Sequence, residues 1–354
     1  MPRISERIQL IAQLDWMLRV ISSHGDEDDE TDADIIADIK ASVETTRYLN
    51  LREYIQKNRS MNDMLFTYSE RDFRQAVRMV KPSFMRLLNM ISGDNIFKNN
   101  SRNKQTPIWI QLMVVLQRLG CDGNGAATGR IARMSGFSNG SVNKFTDRVF
   151  TALMKFRKIY VKWPDAAERV QISTRMASNH WLPGCVAICD GTPAVVSQRP
   201  GVDGEVYWTR KSHYAINLQL YCDDNRLIRF YQVGWPGTVY DSNVFSKCRI
   251  AKNPTAYLSP GEYIIGDAGY ALLWYFCTPF RQPSASLPHN KVFNELFSSC
   301  RCIIEHVNGI LKNRFSSLKG IRIQVKKKED FKKLNDHIII TIILHNMLTM
   351  WNDD

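Results

Sequence analysis

Three carboxylates stand where a folded backbone could hold them rigid. Asp190 follows the unbroken apolar run Cys185-Val186-Ala187-Ile188-Cys189, which suits a strand covered on both faces. Asp267 follows Tyr263-Ile264-Ile265 and sits within Gly266-Asp267-Ala268-Gly269-Tyr270. Glu305 falls inside a long helical stretch, with Arg301, Asn308 and Lys312 on its own face. Strand ends in such sheets place side chains rigidly at a crevice. Carboxylates held within ~4 Å repel by about 4 kcal/mol per pair at an effective dielectric near 20. A divalent cation removes that penalty, and hard oxygen ligands point to Mg²⁺ or Mn²⁺. Two such ions ~3.5–4 Å apart can activate a water or hydroxyl and stabilise the leaving oxygen of a phosphodiester. A plainer reading also fits each acid. Asp190-Gly191 and Asp267-Ala268-Gly269 are turn-like sequences, and Glu305 could be a solvated or ion-paired helix residue.

The elements that must position these acids change character along the chain. Residues 1–60 read as helices, with Ile8, Ile11, Leu14, Leu18 and Ile21 at near-helical spacing. The run Asp26-Glu27-Asp28-Asp29-Glu30 interrupts them as a solvated loop. Residues 61–165 stay helical. Phe73 to Leu88 gives two helices divided at Pro82, and Thr106 and Pro107 start a helix over Ile108–Leu119 as N-cap and first residue. Ala127–Met134, the turn Ser135-Gly136-Phe137-Ser138, and Gly140–Phe156 have helix-turn-helix spacing. Beyond Trp163-Pro164 the texture becomes mixed, and residues 166–354 form the third segment. Tyr214–Tyr221 and Leu227–Val233 make a hairpin, Asp241–Cys248 a short helix, Phe293–Phe315 a long one and Asp336–Met350 a final apolar one. The fold class is therefore α/β, a mixed sheet preceded by an all-α region.

Composition narrows the partners. The chain has 354 residues, and 47 Lys+Arg against 35 Asp+Glu leave a net charge of +12, which suits a polyanionic partner. At 44% hydrophobic and 23% charged residues, a wholly disordered chain is excluded. No apolar run reaches the ~18 residues of a membrane span, and the charged first ten residues lack a signal-peptide core. The eight cysteines form no Cys-x-x-Cys pair, which argues against a zinc ribbon and for a reducing, intracellular setting. Lys312, Arg314, Lys319, Arg322, Lys326-Lys327-Lys328 and Lys332-Lys333 are the densest positive stretch, either solvated or set against phosphates. His345, on an apolar helix, reads as a hydrogen-bonded core residue.

Taken together, several motifs resemble the PIF/Harbinger superfamily of DNA transposases. They are Cys189-Asp190-Gly191-Thr192, Arg210-Lys211 with Tyr214, Asn217 and Gln219, and Gly234-Trp235-Pro236-Gly237-Thr238-Val239-Tyr240-Asp241-Ser242. Then come Gly266 to Tyr270, Thr278-Pro279-Phe280, Phe293-Asn294 with Arg301, Glu305, Gly309, Leu311, Lys312, Arg314 and Phe315, and Leu344-His345-Asn346. The resemblance implies an RNase H-like DDE catalytic domain with Asp190, Asp267 and Glu305 as catalytic metal ligands. Asp241 matches a further family acid that could also reach two Mg²⁺ (or Mn²⁺) ions, or could cap its short helix. The family often has a His after Asp-Gly-Thr where Pro193 stands, an Asn where Thr209 stands, and a His where Tyr240 stands. No departure removes a carboxylate.

The helical region is similar too. Ser141, Asn143, Lys144 and Arg148 would face DNA from a recognition helix, or the two helices would serve only as a collar. Arg210, Lys211, Arg301, Lys312 and Arg314 are candidates for phosphate contacts. The implied activity is Mg²⁺-dependent cutting at the ends of a DNA element and 3′-hydroxyl strand transfer to target DNA. A domesticated DNA- or chromatin-binding descendant, or a nuclease that only hydrolyses, are the alternatives. Implied partners are double-stranded DNA, a Myb-like accessory protein and further copies of the chain, in the nucleus.

Overall fold

A computed structural model describes residues 6–23, 27–46, 49, 67–99 and 104–353. The chain divides into two compact units, residues 1–56 and 57–354. In the first, α1 (Glu6–Ile21) and α2 (Glu27–Thr45) form an antiparallel hairpin. Arg7 Nε donates to the Val43 carbonyl at 2.8 Å and Lys40 pairs with Asp15 at 2.6 Å. The acidic run is not the loop its charge suggests: Glu27 to Glu30 open α2. Asp26 lies outside the described residues, as do residues 47, 48 and 50–60 of the expected first segment.

The second unit begins with helices. Ser69 caps α3 (Glu70–Val77) by accepting the Asp72 N–H at 3.1 Å, and Pro82 lies in the first turn of α4 (Lys81–Ser92). Pro107, rather than Thr106, is the N-cap of α5 (Ile108–Leu119). Proline fixes its own φ and leaves its residue one step outside the helix. Two helices, α6 (Thr128–Ser135) and α7 (Asn139–Met154), are joined by a three-residue turn. Gly136 ends α6 at φ 68°, a conformation open to glycine without a Cβ penalty, and Ser138 caps α7. A short α8 (Arg157–Tyr160) and then α9 (Ala166–His180) lead to the sheet.

The sheet contains β1 (Cys185–Val196), β2 (Tyr214–Cys222) and β3 (Ile228–Pro236). After α10 (Asp241–Ser246) and α11 (Arg249–Lys252) come β4 (Tyr263–Ile265) and β5 (Phe276–Cys277). The order is β3-β2-β1-β4-β5. β1, β2 and β3 are antiparallel neighbours, whereas β4 and β5 run parallel to β1. This mixed sheet is compatible with a nuclease-like fold. The chain closes with α12 (Pro288–Arg314) and α13 (Asp330–Met350).

Two apolar clusters sandwich the sheet. The larger joins Phe73, Leu87, Leu112 and Val149 of the helices to Ile188, Leu218, Ile304 and Ile340. The smaller packs Val186, Cys189 and Ile264 against Tyr221, Phe245 and Phe276. Helix α13 is buried from Leu334 to Leu348 apart from two half-exposed positions, and it packs on α7, α8 and β3. Its Asn346 acts as a clasp: the side chain accepts from Ile228 N–H at 2.9 Å and donates to the Ile228 and Tyr160 carbonyls at 2.8 and 2.7 Å. His345 bonds the Arg226 carbonyl at 3.0 Å, in agreement with a core role. Charged pairs fix α9: Arg169 to Glu262 at 2.6 Å, and Arg175 to both oxygens of Asp224 at 2.6 and 2.7 Å. All eight cysteines are free, and among the described residues no helix is long and apolar enough to cross a membrane.

Candidate active site

Asp190 does not end its strand. β1 continues to Val196, and Asp190 pairs with Leu220 in mid-ladder. The apolar alternation resumes with Ala194 and Val196, both buried, which carries the strand past the Asp-Gly pair. The carboxylate is half-buried and is gripped from α12: Asn308 Nδ2 donates to Oδ2 at 2.9 Å, and Arg301 Nη2 lies 3.6 Å from Oδ1. The same guanidinium stands 3.8 Å from Glu305 Oε1, one helical turn on. Arg301 therefore occupies the space between two of the expected metal ligands.

Asp241 approaches from the other side. It is the first residue of α10, whose cap is Tyr240 without a side-chain bond, so the helix-cap reading falls away. Its Oδ1 instead accepts from Asn217 Nδ2 at 2.6 Å. A buried chain fixes its backbone: Gln219 Nε2 donates to the Asp241 carbonyl at 3.0 Å and to Tyr270 Oη at 2.8 Å, and Tyr221 Oη donates to Gln219 Oε1 at 2.6 Å. Gly191 makes the approach possible, since a Cβ there would meet the Asp241 carboxylate at 2.3 Å. Asp267 follows β4 as expected, and its Oδ1 accepts the Gly269 N–H at 2.8 Å, the turn role open to it from sequence.

Electrostatics tie the four acids together. Burial, then the charges of Asp241, Asp267 and Glu305, push the Asp190 carboxyl up to about 6, with Arg301 opposing. Asp241 is also raised, by burial first, while Asn217 pulls it back. Lys312 donates to Thr192 Oγ1, two residues beyond Asp190. Burial and then the neighbouring Lys211 bring its ammonium down to about 8. Even so, among the described residues no three His, Cys, Asp or Glu side chains close on one point as metal ligands. The convergence is incomplete because Glu305 is exposed and faces Arg301, while Asp267 is engaged by its own turn. The donor set nevertheless fits a hard cation: the carboxylates are mutually repelling, and the amide oxygens Asn217 Oδ1 and Asn308 Oδ1 are buried without a partner.

The expected DNA contacts separate. Lys211 reaches the acid site through Lys312, and Arg210 is exposed in the same loop. Arg314 points elsewhere, donating to the Asp353 carbonyl. On α7, Ser141 bonds Ser138 Oγ at 2.9 Å, Asn143 accepts from Arg118 at 3.3 Å, Lys144 is exposed and Arg148 half-buried. Asn143 looks into a groove of about 840 Å³ bordered by Arg322, Lys332 and Lys333. Asn308, which bonds Asp190, and Tyr270, which bonds Gln219, are positions beside the acids that residue type alone does not single out. The only signal for Asn308 is its place on the Glu305 face.

Residues 189–346, which contain all four acids, match the DDE superfamily endonuclease family. The protein named Antagonist of like heterochromatin protein 1 from Arabidopsis thaliana is 26% identical over 301 residues, 78% of this chain and 72% of its own length. Protein ALP1-like, from the same organism, is 25% identical over 303 residues, 79% and 71% of the two chains. The matched segment agrees with the resemblance to the Harbinger-type DDE transposases over the stretch that carries the acids. No solved structure matches the chain. The helices before residue 189 lie outside the matched family segment, although their core is continuous with it.

Proposed function

We propose that this chain is a Harbinger-type transposase that cuts DNA phosphodiesters with divalent metal and transfers the freed 3′-hydroxyl strand to target DNA. The observation that carries the reading is the gathering of Asp190, Asp241, Asp267 and Glu305 near one another, Asp190 held by Asn308 and Asp241 by Asn217. Burial first, and then the other three acids, push the Asp190 carboxyl up to about 6. Asp190, Asp267 and Glu305, with Asp241 at the edge, would hold Mg²⁺ or Mn²⁺, two ions in the full site. The bound ions would supply charge neutralisation and a nucleophile available at neutral pH. Asn308 orients the Asp190 carboxylate and Asn217 that of Asp241. Lys312 and Lys211 set positive charge beside Asp190, suited to the phosphates flanking the cut. The sheet is RNase H-like in this reading, and α6–α7 act as a helix-turn-helix on element ends. Cutting two ends calls for more than one copy of the chain, working in the nucleus with a Myb-like accessory protein.

A second reading is a domesticated DNA- or chromatin-binding protein, favoured by the name of the Arabidopsis relative, an antagonist of like heterochromatin protein 1. The deciding assay is Mg²⁺- or Mn²⁺-dependent cleavage and strand transfer on DNA carrying candidate element ends, with any Myb-like partner supplied. Asp190→Ala, Asp267→Ala and Glu305→Ala are each expected to abolish both products while DNA binding persists. A wild type that binds tightly and cuts nothing would leave the second reading.

A further inference from the structure

Helix α3 carries Arg71 and Arg74 at i and i+3, on one stripe of its surface, and Arg78 caps its C-terminus. Against that stripe α12 sets Asn313 and Arg314, and a groove of about 690 Å³ lies between them. Two of its four guanidinium groups are held by the fold itself. Arg78 Nη2 donates to the Gly120 carbonyl at 2.6 Å, and its stem lies so close over Gly120 that a Cβ there would meet Nε at 2.4 Å. Arg314 donates to the Asp353 carbonyl. Arg78 adopts φ 66°, a left-handed conformation that costs a non-glycine residue about 1 kcal/mol or more. Its Nε is buried without a hydrogen-bond partner.

The charge of this groove is unbalanced. Glu70 is its one lining carboxylate, and it accepts the Lys81 backbone N–H at 3.3 Å. Among the described residues no ion pair joins Arg71, Arg74 or Arg78. Planar guanidinium forks match phosphate oxygens better than a lysine surface does. The helix step from Arg71 to Arg74, about 4.5 Å, spans about one phosphate of a strand rising about 3.4 Å per charge. Arg314 follows Glu305 by nine residues on α12, about 13.5 Å along the axis and half a turn around it. The groove is therefore off the acid face.

We infer that this arginine groove binds the phosphodiester backbone of duplex DNA at a distance from the reacting strand, a second grip independent of sequence. The inference rests on the reading that the protein handles DNA. The test is fluorescence anisotropy of the full chain on a 30-base-pair duplex of arbitrary sequence (about three helical turns) across an NaCl series. Wild type is compared with Arg71→Ala/Arg74→Ala and with a charge-matched control, Arg249→Ala/Lys252→Ala. Arg78 is left intact because it supports Gly120. The groove variant is expected to lose about 1.8 from the slope of log affinity against log salt, about 0.9 per phosphate, with an unchanged melting temperature. The control should keep the wild-type slope. An unchanged slope in the groove variant overturns the site, as does a loss seen only with a polyglutamate probe, which would mark an acidic protein as the occupant. Failure of the wild type to bind duplex at all would instead overturn the DNA-handling reading as a whole.

Discussion

Arg301 shares its charge between two acids that a metal would need. Ion pairs with this degree of exposure contribute about 0.5–1 kcal/mol, so Arg301→Ala is expected to lower the Mn²⁺ concentration for half-saturation by about two- to five-fold, measured by electron paramagnetic resonance. Weaker Mn²⁺ binding in the variant would show that Arg301 organises the acids rather than competing for them. The acids themselves were legible in the sequence, because a carboxylate beside a buried run stands out by type alone. Arg301 was legible as the i,i+4 neighbour of Glu305 and as a candidate phosphate contact, not as a partner of Asp190. Its reach to Asp190 depends on how α12 lies along β1, which no local pattern encodes. Asp241 was ambiguous for a related reason: a first-turn acid and a site acid have the same sequence, and only the absent Cβ of Gly191 lets it lean toward β1.

Among the elements, α13 shows how much of a motif can be structural. Leu344-His345-Asn346 belongs to the set that signals the family, yet Asn346 clasps β3 and the end of α8. Asn346→Leu, nearly isosteric, strands the Ile228 N–H and two carbonyls and is expected to cost about 3 kcal/mol in urea unfolding. His337, on the same helix, bonds Ser317 Oγ at 2.9 Å. Burial, then Arg118, brings its imidazole down from 6.5 to about 3. A lowered folded-state value gives stability that is whole above pH about 6.5 and erodes as the pH falls toward 3. The erosion amounts to about 1.4 kcal/mol per pH unit. His337→Gln should flatten the acid limb of unfolding free energy against pH by one proton. Strong periodicity made the long helices and the hairpin readable. Helix α9 escaped notice because its buried stripe begins with Arg169 ahead of Ile172 and Met176, a charge where an apolar residue was sought. At two residues, β5 is too short for any period to register.

For the whole molecule, the sheet begins at Cys185, one helix later than the change of texture at Trp163-Pro164, while one core runs through helices and sheet. Contacts instead set residues 1–56 apart from the rest. A chain beginning at Lys57 is therefore expected to melt within about 3 °C of the intact protein by differential scanning calorimetry, since 1 kcal/mol moves the midpoint by about 2–4 °C at this size. A drop of 10 °C or more would show that the hairpin supports the larger unit. The apolar surface of α13 also bears on inheritance. It is covered from one side by α7 and α8 and from the other by β3, so a recombination breakpoint near codon 166 would yield two products, each with a raw apolar face. The helical stretch and the sheet share one core, so a lineage that keeps either for a new purpose is expected to keep both.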